Sequence, residues 1–220
     1  VEAGRALVEE QVARPAGERA RRWLLKEGLT SPAFAAAVGI GRLLRPMLPK
    51  SLGAKLGSAR PAGPWRRRRH RRKVLLPQGC VQPALAPRID AATARVLDAI
   101  GIEVVPHRGG GCCGALHFHL DDQPSALDRM RANIDAWWPL LESGAVESIV
   151  SNASGCGAML ADYARHLGHD PAYADKAARV GAAVRDLSAL MPEIATGLAG
   201  RLAPRAGVVA FHPPCTLQHG

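Results

Sequence analysis

Nowhere in the chain do roughly 18 apolar residues run together, so no membrane-spanning helix is encoded. No charged start leads into an apolar stretch either, so no secretory signal is visible. The sequence also lacks any C-x-x-C pair. That excludes a zinc ribbon, a thioredoxin-like pair and the C-x-x-C-x-x-C run of ferredoxins from these residues. Five cysteines, an odd number without the regular spacing of a disulfide framework, point to a reducing compartment and to metal or redox chemistry. An initiating methionine is missing too. The sequence opens on Val1 and stops at Gly220, directly after a motif-like Pro-Cys-Thr-Leu-Gln-His, and an internal fragment of a longer protein is expected.

What is present is a globular composition, 47% hydrophobic, in 220 residues that suffice for one good core or two small ones. The net charge of +10 is unevenly spread. Seven of the 29 basic residues lie between Arg66 and Lys73 (RRRRHRRK), which leaves only +3 for the remainder. Such a run neutralises phosphates in a nucleic-acid site. One basic run with a single flanking Trp65 supports that reading thinly, and a solvated linker over residues 58–73 is the preferred one. Docking on an acidic partner or an anionic lipid stays open.

Before the linker, residues 1–57 read as short amphipathic helices punctuated by Pro15, Pro32, Pro46 and Pro49, packing on something else. After it the chain becomes rhythmic. Strands are expected at Val74–Leu76, Ile102–Val105, Ser148–Ser151 and Gly207–Phe211. Helices are expected over 87–100, after a Ser125 cap with Pro139 bending or ending the helix, from about Gly157, and around 172–190. The alternation implies an α/β fold: a mostly parallel sheet with flanking helices, preceded by the helical segment.

Every cysteine follows an expected strand by a few residues, at the sheet edge where open α/β folds collect ligands. The densest such stretch is Gly109 to His119 (GGGCCGALHFH), where Cys112 and Cys113 lie among glycines. The 31 residues between Cys80 and Cys112, and the 42 between Cys113 and Cys156, match whole β-α units rather than zinc-knuckle loops. Adjacent thiols in a glycine-rich loop offer soft ligands for an iron-containing site, or a pair for thiol–disulfide exchange. Buried apolar thiols are the plain alternative. Cys156 beside a helix N-terminus is expected to favour its thiolate. His117 and His119, spaced as on an extended segment, are either outer donors or structural, and His212 is a candidate for the same rim. Trp137-Trp138 reads as core or partner interface.

At these motifs a resemblance enters. GCVQPALAPRIDAATARVLDAIG (79–101), GCCGALHFHL, NIDAWWPLLESGA, SGCGAMLADY and FHPPCTLQHG closely resemble the iron–sulfur subunits of bacterial glycolate oxidases, within the cysteine-rich CCG superfamily that includes the heterodisulfide reductase B subunit. The resemblance implies residues 1–57 as a helical segment following a missing ferredoxin-like domain, 58–73 as the linker, 74–206 as a first CCG unit and 207–220 as the start of a truncated second one. It implies that Cys80, Cys112, Cys113 and Cys156 bind an iron–sulfur cluster of 4Fe–4S type, with Cys215 opening the second unit.

The role implied is electron transfer without direct catalysis. Electrons from a flavoprotein partner subunit that holds FAD and oxidises glycolate to glyoxylate pass toward a membrane acceptor such as quinone. The implied location is cytoplasmic, peripheral on the cytoplasmic face of the inner membrane. One departure stands out: a fuller superfamily pattern ends a unit with C-x-x-C, and here Ala153 occupies its first position. The alternatives are a docking module without its own cluster, a subunit serving lactate or another 2-hydroxy acid, and a thiol–disulfide protein.

Overall fold

The computed structural model describes residues 2–56, 61–65, 68–107, 109–203, 207, 208, 210 and 212. Four helices come first: α1 (Glu2–Gln11), α2 (Ala16–Thr30), α3 (Phe34–Leu43) and α4 (Lys50–Lys55). The prolines fall between them as expected, with Pro15 and Pro49 at the caps of α2 and α4. Proline lacks an N–H and fixes φ, so it suits a helix start and is disfavoured in a helix interior. These helices bury little. Trp23, Leu24, Leu43 and Met47 are all more than half exposed, whereas Val38 is buried.

From Arg72 onward the chain forms an α/β layer. Strand β1 (Arg72–Pro77) is followed by α5 (Gln82–Leu85) and α6 (Arg88–Ala99), then β2 (Ile102–His107). Next come α7 (Ala115–His119), α8 (Gln123–Glu142) and β3 (Ser148–Ser151). The last elements are α9 (Ser154–Ala161), α10 (Tyr163–Leu167), α11 (Ala174–Ala183), β4 (Val184–Asp186) and α12 (Met191–Gly197). The strands lie side by side in the order β2-β1-β3-β4, every neighbouring pair parallel. Because successive side chains on a strand face opposite ways, β1 feeds two cores. Leu75 and Ile149 face α8, α10 and α11 through Met130, Ile134, Trp137, Tyr163, Leu167 and Val180. Val74, Leu76 and Val150 face α6 and α12 through Ala94, Leu97 and Ile194.

Chain order reverses beside β1: β2 lies on one side of it and β3 on the other. The crevice outside the carboxyl ends of such a pair is where open α/β sheets bind ligands. Cys80 follows β1 and Cys156 follows β3, so two cysteine loops flank this crevice from the outset.

Several local expectations are corrected. The helix expected over 172–190 ends at Ala183, and Val184–Asp186 turns into the fourth strand beside β3. The strand expected at 207–211 lies partly outside the described residues, and Gly207, Val208 and Ala210 are in no strand. Helix α8 begins at Gln123 rather than after Ser125: Asp122 is its cap, accepting the Ser125 N–H at 3.3 Å. Pro139 sits inside α8 without ending it.

Strand β1 begins inside the basic run, where Arg72 pairs with Glu147 and with Glu193. His70 Nε2 lies 2.9 Å from Asp98, and Trp65 packs on the α6 face of the sheet. The helical segment is tied to this layer by side chains on α2 and α3. Arg42 donates to the carbonyls of Ala84 and Leu85 at 3.1 and 2.8 Å, and Lys26 pairs with Asp122.

Candidate metal centre

Three strand-end loops bring four thiols together. Cys80, Cys112, Cys113 and Cys156 line one cleft of about 740 Å³, and none is in a disulfide. Cys112 and Cys113 are 5% and 6% exposed. Hydrogen bonds join Cys80 to Cys112, Cys112 to Cys113 and Cys113 to Cys156, and charge couples Cys156 to Cys80 and Cys112 as well. Cys215, the fifth cysteine, lies outside the described residues.

Neighbouring thiols cannot all ionise together, because like charges at short range oppose one another. The site resolves this by alternation. Cys113 and Cys80 donate hydrogen bonds to Cys112, which with the Gly114 N–H and the Arg129 charge hold its thiol well below the usual thiol range, against the effect of burial. The Cys80 thiol is pushed up first by its bond to Cys112 and then by burial, and the Cys113 thiol by its bonds to Cys112 and to Cys156 and then by burial. Cys156 is lowered, chiefly because Cys113 donates to it. Cys156 is the third residue of α9, so the expected thiolate preference stands, but its main cause is a neighbouring thiol rather than the helix end.

The backbone of the dicysteine loop is held by side chains on α8 and α10. Asn133, 1% exposed, accepts the Gly111 N–H at 2.8 Å through Oδ1. Its Nδ2 donates to the Cys112 carbonyl at 3.0 Å and to the Tyr163 hydroxyl at 2.8 Å. Tyr163 in turn donates to the Cys113 carbonyl at 3.0 Å, and Trp137 Nε1 donates to the Gly109 carbonyl at 3.2 Å. Burial pushes the Tyr163 phenol up, so it stays a neutral donor. The buried amide thereby satisfies the Gly111 N–H and the Cys112 carbonyl of this loop.

Asn133 and Tyr163 are the functional residues that sequence reasoning missed. A signal existed for the first: Asn133 lies three residues after Met130 and four before Trp137, a polar side chain on the apolar face of its helix. The Trp137-Trp138 pair divides its work. Trp137 is core and loop anchor, while Trp138 is half-buried beneath the Arg179 guanidinium, 4.7 Å from its ring centroid.

Glycine is required at two places in the loop. Gly110 has φ +80°, and a Cβ there would stand 2.5 Å from Asn133 Oδ1. Gly114 has φ +92°, and a Cβ would stand 3.0 Å from the Ala126 carbonyl oxygen. Left-handed backbone costs other L-residues roughly 1–2 kcal/mol. Gly114→Ala is expected to lower the unfolding free energy by about 2–3 kcal/mol in urea titration. Gly111→Ala, at a position with nothing within 4 Å of the added methyl, is the near-neutral control.

The histidines separate. Both lie on helix α7 rather than on an extended segment, because the left-handed Gly114 starts a helix. His119 lines the thiol cleft with Arg165 and His166. His117 is buried, with its Nδ1 unbonded and its Nε2 4.0 Å from Glu27. His212 is exposed.

Among the described residues, the set of three His, Cys, Asp or Glu ligand atoms all within 4.8 Å of one another is Glu27, His117 and Asp122, and the Lys26 ammonium already sits on Asp122. The thiols form no such cage. A tetrahedral zinc with Zn–S near 2.3 Å would draw its sulfurs to within roughly 4 Å of one another. Four thiols lining one cleft are the usual complement of an iron–sulfur cluster. Ala153 caps α9 and lines the same cleft as Cys156.

A rim of thiols at the carboxyl edge of a parallel sheet defines a cysteine-rich redox or metal domain, and residues 74–161 match the CCG family of cysteine-rich domains. The chain is a homologue of glycolate oxidase iron–sulfur subunits. It is 47% identical over 222 residues to the glycolate oxidase iron–sulfur subunit of Escherichia coli strain K12, covering 98% of this chain and 53% of the relative. A probable glycolate oxidase iron–sulfur subunit of Bacillus subtilis strain 168 is 28% identical over 149 residues, 68% of this chain and 33% of the relative. The uncharacterized protein YkgE of E. coli K12 is 28% identical over 138 residues, 63% and 55% of the two chains. The chain thus spans about half or less of the length of these relatives. No solved structure matches it. Among the described residues, no helix is long and apolar enough to cross a membrane.

Proposed function

We propose that Cys80, Cys112, Cys113 and Cys156 bind an iron–sulfur cluster of the 4Fe–4S type and that the chain carries electrons within a glycolate oxidase complex. The convergence of four thiols from three strand-end loops into one cleft carries this reading. The names of the E. coli and B. subtilis relatives supply the substrate. Oxidising glycolate to glyoxylate releases two electrons and two protons, which a flavin on a partner subunit accepts together. A bound cluster supplies one-electron transfer onward, to a membrane acceptor such as quinone, from a peripheral position on the cytoplasmic side.

In this scheme the chain's own residues do three things. The cysteines ligate. Asn133, Tyr163 and Trp137 fix the loop that bears two of them. The apolar walls, including Leu160 and Met159, keep water from the sulfurs. Cys215 opens a second unit of the same kind. The exposed Trp23, Leu24, Leu43 and Met47 favour a second, compatible role, docking the flavoprotein.

The test is electron uptake. The anaerobically reconstituted protein is mixed with flavoprotein subunit and glycolate, and the visible absorbance of the protein is followed. Bleaching in the parent and none in Cys112→Ser is expected. Flavoprotein binding that survives loss of every cysteine, with no bleaching in the parent, would leave docking as its role.

A further inference from the structure

A second cleft, of about 630 Å³, opens where the helical segment meets the CCG layer. Glu27, Thr30, Ser31 and Pro32 line it from one side, and Cys80, Gly111 and Cys112 from the other. Arg129 of α8 lines it too, part-buried, and donates through Nη2 to the Thr30 hydroxyl at 3.3 Å. Among the described residues no carboxylate forms an ion pair with it, unlike Arg131 two positions on, which is neutralised by Asp128 and Asp170. Arg129 therefore brings a positive charge, not held in an ion pair, to the cleft that Cys80 and Cys112 line, with Glu27 the acidic residue on the facing wall.

We propose that Arg129 is a positioning residue for charge: tethered by Thr30, it raises the reduction potential of the iron–sulfur site, and so makes the helical segment part of the redox machinery. The inference rests on the cluster reading above. Reduction adds one negative charge to a buried site. A fixed cation nearby stabilises the reduced form more than the oxidised one, and net local charge is among the factors that set such potentials. Thr30 matters because an untethered arginine on a cleft wall swings into water, where its field is screened.

The test is a redox titration of the reconstituted full chain, followed by EPR, on the parent and on Arg129→Gln, Arg129→Lys and Thr30→Val. Arg129→Gln is expected to keep its iron and to make the one-electron reduction about tenfold less favourable, a midpoint about 59 mV more negative. Arg129→Lys, which keeps the charge, should stay closer to the parent than to Arg129→Gln. Thr30→Val should move in the same direction as Arg129→Gln by a smaller amount.

An unchanged midpoint in Arg129→Gln with iron retained overturns the inference, as does a lysine variant that shifts as far as glutamine. If Arg129→Gln loses its iron, Thr30→Val decides: a more negative midpoint supports the tethered charge and an unchanged one contradicts it. Absence of iron in the parent defeats the cluster reading itself, and this inference with it.

Discussion

Asn133→Ala is expected to lower the unfolding free energy by about 3 kcal/mol or more and to strip most of the iron from the reconstituted protein. The side chain is buried and satisfies three partners, the Gly111 N–H, the Cys112 carbonyl and the Tyr163 hydroxyl. Deleting it leaves the Gly111 N–H and the buried Cys112 carbonyl without this partner and the Tyr163 hydroxyl with the Cys113 carbonyl, and each buried group left unpaired costs roughly 1–3 kcal/mol. The functional loss follows from geometry rather than from stability alone. Freed from Asn133, the Gly111–Cys112 backbone can turn, and Cys112 leaves its place between Cys80 and Cys113. Tyr163→Phe removes one donor to the Cys113 carbonyl and should cost about 1 kcal/mol, with partial loss of iron. Urea titration and iron assay on the same preparations read both quantities. Full iron occupancy in Asn133→Ala would show that the loop holds itself.

Trp137→Ala should be the most destabilising single truncation in the α8 core, by about 3–5 kcal/mol. Trp137 is 1% exposed, sits among Met130, Ile134 and Leu160, and is the donor to the Gly109 carbonyl. Trp137→Phe keeps most of the volume but not the N–H, so it separates packing from anchoring. A phenylalanine variant nearly as stable as the parent but poorer in iron is the expected result. Equal losses of stability in the two variants would assign the whole effect to the hydrogen bond. By contrast, Trp138→Ala removes a half-buried ring stacked under Arg179 and should cost less than half as much.

Strands β1, β2 and β3 are legible because each is a short apolar run bounded by proline, glycine or serine, and the cysteines that follow them are legible with them. Strand β4 is not. Val180, Val184 and Leu187 recur at helical spacing, and nothing local marks the change after Ala183. The strand is three residues at the sheet edge, fixed by pairing with β3, which is tertiary information. Helix α7 hides for the opposite reason. His117 and His119 alternate as on a strand, but the left-handed Gly114 and the buried contacts of α7 with α8 set a helix there. In the site, residue type reveals the four thiols proposed as ligands, since thiols have few other uses among glycines. The residues that hold the ligands are an asparagine and a tyrosine on helices 20 to 50 positions away in sequence, and only the folded chain brings them to the loop.

The helical segment changes meaning most. From sequence it is a set of amphipathic helices packing on something unspecified. In the structure Arg42 holds the carbonyls of α5, just after Cys80, Lys26 holds the cap of α8, and Thr30 holds Arg129 beside Cys112. The segment is therefore in contact with the loop or helix next to two of the four thiols.

The central claim is that four thiols on three loops hold one cluster. Its most direct test is anaerobic reconstitution of the chain followed by iron and acid-labile sulfide analysis and EPR on reduction, with each cysteine changed to serine in turn. The account predicts iron and sulfide in equal amounts with a reduced-state EPR signal. It predicts loss of both in the serine variants of Cys80, Cys112, Cys113 and Cys156. Iron no higher than background in the parent, or a cluster indifferent to Cys112→Ser, would contradict it.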